Sequence, residues 1–237
     1  MSWHGANALG ARYVPVMTDL PGDLQRELDG VVAAHARLGV VVDGLTDDQA
    51  RQPSRLPGWT VGHVLTHIAR NADGLRRMIE GARRGEQAMQ YPGGMAQRNE
   101  EIDAGADRPA GALVEDVRAT SSAFEAAATE LNADQWANGS GLAAFGVVSA
   151  SEIPFRRRRE VIVHQSDLGL DGADDWSDWP SDFVTAELRR MTMQFARTHP
   201  MGVATLPPAA RASPPAQQLA WLFGRIDIAG LDPANAM

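Results

Sequence analysis

The chain has 237 residues, enough for one large domain or a mid-sized domain with an appendage, and carries a net charge of -8. That acidity argues against a nucleic-acid partner, whose phosphates call for a basic surface. With no cysteine there is no disulfide framework, no thiolate metal ligand and no cysteine nucleophile, so any thiol chemistry has to use sulfur brought by a small molecule.

Residues 1–19 show no periodicity and read as a lead-in without a basic and apolar leader pattern. The longest apolar runs, such as Val40 to Val42, are far too short to span a bilayer, and the expected location is the cytoplasm. From about residue 22 to 43, Leu24, Leu28, Val31, His35, Leu38 and Val42 recur at steps of four and three and predict a helix with one apolar stripe. His35 lies within that stripe, where a core histidine satisfied by hydrogen bonding is favoured over a role in a pocket.

Pro57-Gly58 is a turn, and Thr60 is the expected N-cap of a second long helix ending near Gly85. Val61, Val64, Leu65, Ile68, Ala72, Leu75 and Ile79 form its stripe, with His63 and His67 on the shoulder and His67 nearer the apolar face. Tyr91 to Gly94 reads as a loop and Met95 to Ala104 as a short polar helix. A third long helix is expected from about Ala110 to Asn132, with Leu113, Val117, Phe124 and Leu131 inward. Gly139 to Ser149 reads as a linker or a short hairpin.

The stretch from Ser151 to Gly169, SEIPFRRRREVIVHQSDLG, predicts a fourth helix capped by Ser151. At about 100° per residue, Arg156, Glu160, His164 and Asp167 form one polar row flanked by Val161 and Leu168 on one side and Val163 and Leu170 on the other. Glu160 and His164, one turn apart, make a platform for two bonds to a divalent cation, and zinc suits this donor set best. His67 completes a His, Glu, His site with an open position, the arrangement of catalytic zinc. The alternative is an exposed helix with salt bridges and a solvated His164.

Asp171 to Asp178 is an acidic loop without calcium-ligand spacing. A fifth helix is expected from Trp179-Pro180 to about Thr198, with Phe183, Leu188, Met191 and Phe195 inward. Pro200 to Pro215 reads as an extended linker, and Gln217 to Ile228 as a short apolar helix or helix-strand piece. The chain divides into the lead-in at 1–19, a helical bundle at 20–172 and a small C-terminal domain at 173–237. The fold class is mainly α: a four-helix bundle with a shortened α or α/β appendage.

Gly58-Trp59-Thr60 with His63 and His67, the segment Arg98-Asn99-Glu100-Glu101-Ile102, and Ser151-Glu152 through Arg157, Arg159, Glu160, His164 and Asp167-Leu168-Gly169 carry a resemblance. Together they resemble the DinB-like bundles and, more closely, the mycothiol-dependent maleylpyruvate isomerase family of actinobacteria, over roughly residues 20 to 170. The resemblance implies His67, Glu160 and His164 as ligands of a divalent metal, zinc by preference, that holds the sulfur of mycothiol. It implies addition of that thiolate to a cis double bond, rotation about the resulting single bond and elimination to the trans acid. The family's C-terminal domain contributes an arginine, which Arg225 matches; a surface arginine on a terminal helix is the alternative.

Arg156 to Arg159 offer a clamp for a carboxylate, and at most two of them can face the polar row. Arg157 and Arg159 are the pair that match the family. The chain departs from the family pattern where Leu206 to Pro215 replaces a strand-rich segment. The functional expectation is a mycothiol- and metal-dependent isomerase of a small unsaturated acid. Its alternatives are a thiol transferase acting on an electrophile and a DinB-like metal-binding scaffold without turnover, the last signalled by a fourth ligand such as His63. Expected partners are a small thiol and a small organic acid or electrophile, with no nucleic acid and no membrane, in a monomer or homodimer.

Overall fold

A computed structural model describes residues 20–170, 175–198 and 205–234. Four long helices, α1 (Gly22–Val41), α3 (Val61–Arg83), α5 (Ala110–Thr129) and α7 (Ile153–Asp167), form a bundle in which α1 and α3 each touch both α5 and α7. The shorter α2 (Asp47–Arg51), α4 (Gly94–Ala106) and α6 (Ala133–Asn138) fill the connections. Strands β1 (Ser140–Ala143) and β2 (Gly146–Ser149) pair antiparallel between α6 and α7, so the segment at 139–149 is a hairpin. Among the described residues no helix is long and apolar enough to cross a membrane.

Helix α3 is the axis of the core. Its Leu65 and Ile68 pack with Leu113, Val161 and Phe183, while its Leu75, Met78 and Ile79 pack with Phe124, Trp136 and Ile153. Thr60 caps it as expected, and the same capping box draws in His63, whose Nδ1 accepts from the Thr60 backbone N–H at 3.2 Å. Ser151, in contrast, is not the N-cap of α7. A 3₁₀ turn over Ala150–Glu152 precedes the helix, Pro154 stands in its first turn, and the Ser151 hydroxyl pairs with Ser149 Oγ at 3.0 Å.

The C-terminal segment adds α8 (Ser181–Thr198), α9 (Pro208–Ala212) and α10 (Pro215–Leu222). Phe183, Met191 and Phe195 of α8 are buried, and Trp221 of α10 packs on Phe195. The stretch expected to be an extended linker contains α9, started by Pro207-Pro208, and among the described residues the appendage is helical with no strand. The expected lead-in at 1–19, the boundary at 172 and part of the acidic loop lie outside the described residues. On both sides of that boundary the buried residues belong to one core, with Val161 and Leu168 in the same cluster as Phe183 and Trp221.

One buried charge joins the four bundle helices. Arg157 of α7 has no exposed surface, and its Nε donates to His35 Nε2 on α1 at 2.9 Å. Its Nη1 donates to the Ile68 carbonyl (2.8 Å) and to Asn71 Oδ1 (3.1 Å) on α3, and its Nη2 reaches Ser121 Oγ on α5 at 3.4 Å. Arginine has only donors, so His35 Nε2 must accept, and the ring proton sits on Nδ1, which donates to Glu125 at 2.7 Å. His35 is therefore a neutral core histidine; burial, helped by the Arg157 charge, lowers its pKa to about 4 against the pull of Glu125.

Two outcomes follow. Between pH 6.5 and 4 the unfolded chain binds more protons at His35 than the folded one, so stability falls as pH drops through that window, by about 1 kcal/mol per pH unit. His67, lowered to the same value, acts with the same sign, so urea unfolding of His35→Gln should show a shallower but not flat pH slope; an unchanged slope contradicts the assignment. The second concerns Gly62, where a Cβ would stand 2.1 Å from the Ala106 carbonyl oxygen at the α3–α4 contact. Gly62→Ala should lose about 1–3 kcal/mol by urea titration, whereas Gly39→Ala, which meets nothing within 4 Å, should be neutral or mildly stabilising.

Candidate metal centre

The Arg157 hub fixes α7 against α3 so that Glu160, one turn further along α7, meets His67, which lies beside Ile68 on α3. One donor atom from each of His67, Glu160 and His164 can be chosen so that all lie within 4.8 Å of one another. His67 Nε2 is 2.9 Å from Glu160 Oε2, and His164 Nε2 is 3.7 Å from the same oxygen. The two imidazoles meet edge to face, with centroids 4.5 Å apart.

Proton positions follow from the partners. Arg98 Nη2 donates to His67 Nδ1 at 2.7 Å, so the proton of neutral His67 is on Nε2 and points at Glu160. Burial, with the neighbouring His164, lowers the His67 pKa to about 4. Burial alone would push the Glu160 carboxyl up, but the hydrogen bond from His67, the two adjacent imidazoles and the Arg159 guanidinium outweigh it and hold the group well below the usual carboxylate range. The cluster at neutral pH thus pairs an ionised carboxylate with a neutral imidazole, which suits a cation.

His164 Nδ1 donates to Asp167 Oδ2 at 2.9 Å, which leaves the Nε2 lone pair on the Glu160 side. Asp167 in turn accepts from Arg225 Nε (2.7 Å) and Nη2 (2.8 Å). Burial raises the Asp167 pKa, and these hydrogen bonds more than reverse it, so the net shift is downward. Trp59 closes the other side of His67, its ring 5.6 Å away and edge-on.

The three donors open into a cavity of about 240 Å³ whose wall includes Arg98, Arg156, Arg159 and Tyr91. Arg159 faces it as expected and is held from behind by an ion pair with Glu187 of α8 at 2.5 Å; Glu187 is fully buried, and burial pushes its carboxyl up. Arg157 does not line the cavity. Its guanidinium is spent on the core, and Arg156 stands on the wall in its place. Arg225 is also off the wall and reaches the centre through Asp167. His63 is outside the donor cluster: Nδ1 serves the helix cap, and Nε2 lies 3.9 Å from Asp103.

Tyr91 and the direct role of Arg98 were not predicted from sequence. Arg98 belongs to a segment that otherwise reads as a solvated turn, and Tyr91 sits in a loop with no periodic signal. Gly74 lets that loop approach α3, since a Cβ there would stand 2.8 Å from Gln90 Cγ. Burial raises the Tyr91 pKa, so its hydroxyl keeps its proton.

Fold and side chains together define a DinB-like helical bundle whose His, Glu, His donor set fits a divalent cation. Residues 31–169 match the family model of the mycothiol maleylpyruvate isomerase N-terminal domain, and the chain belongs to that family. It is similar to the crystal structure of the mycothiol-dependent maleylpyruvate isomerase, with 28% identity over 77% of this chain and 74% of that one and a TM-score of 0.68. A histidine-to-alanine mutant of that enzyme gives 27% identity, the same coverage and a TM-score of 0.68. No curated protein matches the chain.

Metal analysis of the purified protein checks the donor set. His164→Ala should lose stoichiometric metal, and unchanged content would place the ion elsewhere. Asp167→Asn should bind zinc about 10- to 100-fold more weakly in competition with a chromophoric chelator, because it removes the carboxylate that orients His164.

Proposed function

We propose that this chain is a metal-dependent, mycothiol-dependent enzyme that isomerises a small unsaturated acid such as maleylpyruvate from cis to trans. The observation that carries this reading is the juxtaposition of the three donors with a wall bearing Arg98, Arg156 and Arg159. His67, Glu160 and His164 would hold the cation, zinc by donor preference, and the cation would supply the positive charge that keeps a thiol deprotonated at neutral pH. Family membership supports mycothiol as that thiol, and the absence of cysteine leaves the sulfur to a small molecule.

The chain's own groups hold the acid. Arg156 and Arg159 present guanidinium donors to its carboxylates, and Arg159 is braced by Glu187 and lies over the Phe155 ring at 5.2 Å. Tyr91, protonated, offers one more donor. Arg225 steadies Asp167 and thereby His164, a positioning role. A cation taking His67 Nε2 would require the ring proton to move to Nδ1, where it displaces the Arg98 donor and frees that guanidinium for the substrate side of the cavity.

A second reading, transfer of the thiol to an electrophile, uses the same residues and differs only in whether the adduct collapses. The position of Arg225, committed to Asp167 and off the cavity wall, favours keeping it, because one expected carboxylate contact is then missing. A scaffold without turnover is disfavoured by the placement of His63 outside the donor cluster. The proposed setting is the cytoplasm, with a small thiol and a small acid or electrophile as partners.

Loss of maleylpyruvate absorbance in the presence of mycothiol tests the assignment. Zinc-loaded protein should turn over only with the thiol, and Arg159→Met should raise KM about tenfold or more by removing a charged hydrogen bond. Turnover without thiol, or by chelator-stripped protein, would overturn the reading. Accumulation of a stable thiol adduct without the trans acid would select thiol transfer.

A further inference from the structure

One side of the same cavity has no counterpart in the recognition of a small dicarboxylate. Besides the arginines, its wall includes the tip of the β1–β2 hairpin, Ala143, Ala144 and Phe145, together with Met95 of α4. Phe145 is 99% exposed and Met95 42% exposed. A phenyl ring left wholly in water at the rim of a polar cavity contributes nothing to the packing of this fold, and its burial by a bound molecule is favourable.

The hairpin base is not free to carry the ring away. Leu142 N–H donates to the Ala88 carbonyl and its carbonyl accepts from Gln90 N–H, both at 2.9 Å, so β1 is tied to the loop that also brings Tyr91 to the site. Gly141 sits against Met78 of α3, where a Cβ would stand 2.7 Å from the methionine. The reversal itself is made by Ala144 and Phe145, and the next residue, Gly146, has φ of +121°. The backbone therefore presents Phe145 at a fixed place beside the cavity that holds the metal donors.

We propose that Phe145, with Met95, is a specificity element that receives the apolar or aromatic portion of the substrate, whose carboxylate lies on Arg156 and Arg159. Within the unsaturated acids proposed above, the preferred class is then the α,β-unsaturated acids that bear an apolar substituent. The proposal rests on the reading of this cavity as the substrate site, but not on metal or thiol chemistry.

Calorimetric titration with cinnamate and with crotonate tests it, since the two share a carboxylate and a conjugated double bond and differ in phenyl against methyl. Wild-type protein should bind cinnamate about tenfold more tightly. Phe145→Ala should reduce that ratio to about twofold or less with crotonate affinity unchanged, and Phe145→Leu should restore part of it. Equal binding of the two acids by the wild type, no binding of either, or a ratio that survives Phe145→Ala overturns the proposal. So does light scattering that shows Phe145→Ala converting a dimer to a monomer, because the ring would then cover a second copy. Running each titration on zinc-loaded and metal-free protein separates the two ideas: loss of the metal site leaves the phenyl preference intact, and loss of the phenyl preference leaves metal binding intact.

Discussion

The Arg157 guanidinium sets the register of this bundle. A fully buried cation carries a large desolvation penalty, and burial lowers its pKa to about 10, so it still holds its proton at neutral pH. The offset comes from hydrogen bonds to groups on three other helices, each of which must be at the right height for the fork to be satisfied. Apolar packing alone tolerates a helix sliding by part of a turn, whereas this fan of donors does not. Because Arg157, Glu160 and His164 share one face of α7, fixing the first against Ile68 and Asn71 delivers the second to His67.

Much of this was legible in the sequence because it is local. The stripes of α1, α3 and α5, the Thr60 cap and the one-turn spacing of Glu160 and His164 are short-range patterns, and the structure places them as the spacing predicts. What periodicity failed to give is which arginine of α7 turns inward. That helix buries Arg157, Arg158, Gln165, Ser166 and Asp167 along with its apolar residues, so the contrast between polar and apolar faces nearly vanishes. Resemblance singled out Arg157 without separating a residue that builds the site from one that lines it. Arg98 and Tyr91 arrive from a loop and a polar helix across a contact that depends on Gly74, and no local spacing encodes that meeting.

The C-terminal segment works on the centre from two directions. Arg225 grips Asp167, which holds His164, and Glu187 of α8 holds Arg159 on the cavity wall. Glu187 touches a wall residue directly and Arg225 reaches His164 through Asp167, while neither lines the cavity, so the appendage shapes the site without entering it. The shared core of Phe183, Trp221 and Val161 makes these contacts rigid, because moving α8 or α10 would open apolar packing as well as the ion pairs. A chain that shortens this appendage while keeping Arg225 and Glu187 retains both supports.

The same layering bears on how the centre discriminates between a proton and a cation. His67 and Glu160 already satisfy each other through one proton, and Arg98 reinforces that arrangement by occupying Nδ1. A divalent cation would have to compete with this internal pair rather than fill an idle gap, and a weakly bound ion would lose. What would tip the balance is that shifting the His67 ring proton from Nε2 to Nδ1 turns the Nε2 lone pair, like the Glu160 carboxylate, toward one point, while Asp167 holds the His164 ring with Nε2 on that side. Release of Arg98, which already lines the cavity, would turn its guanidinium from His67 toward Arg156 and Arg159, and occupation of the centre and binding of an anion would then be coupled through one side chain.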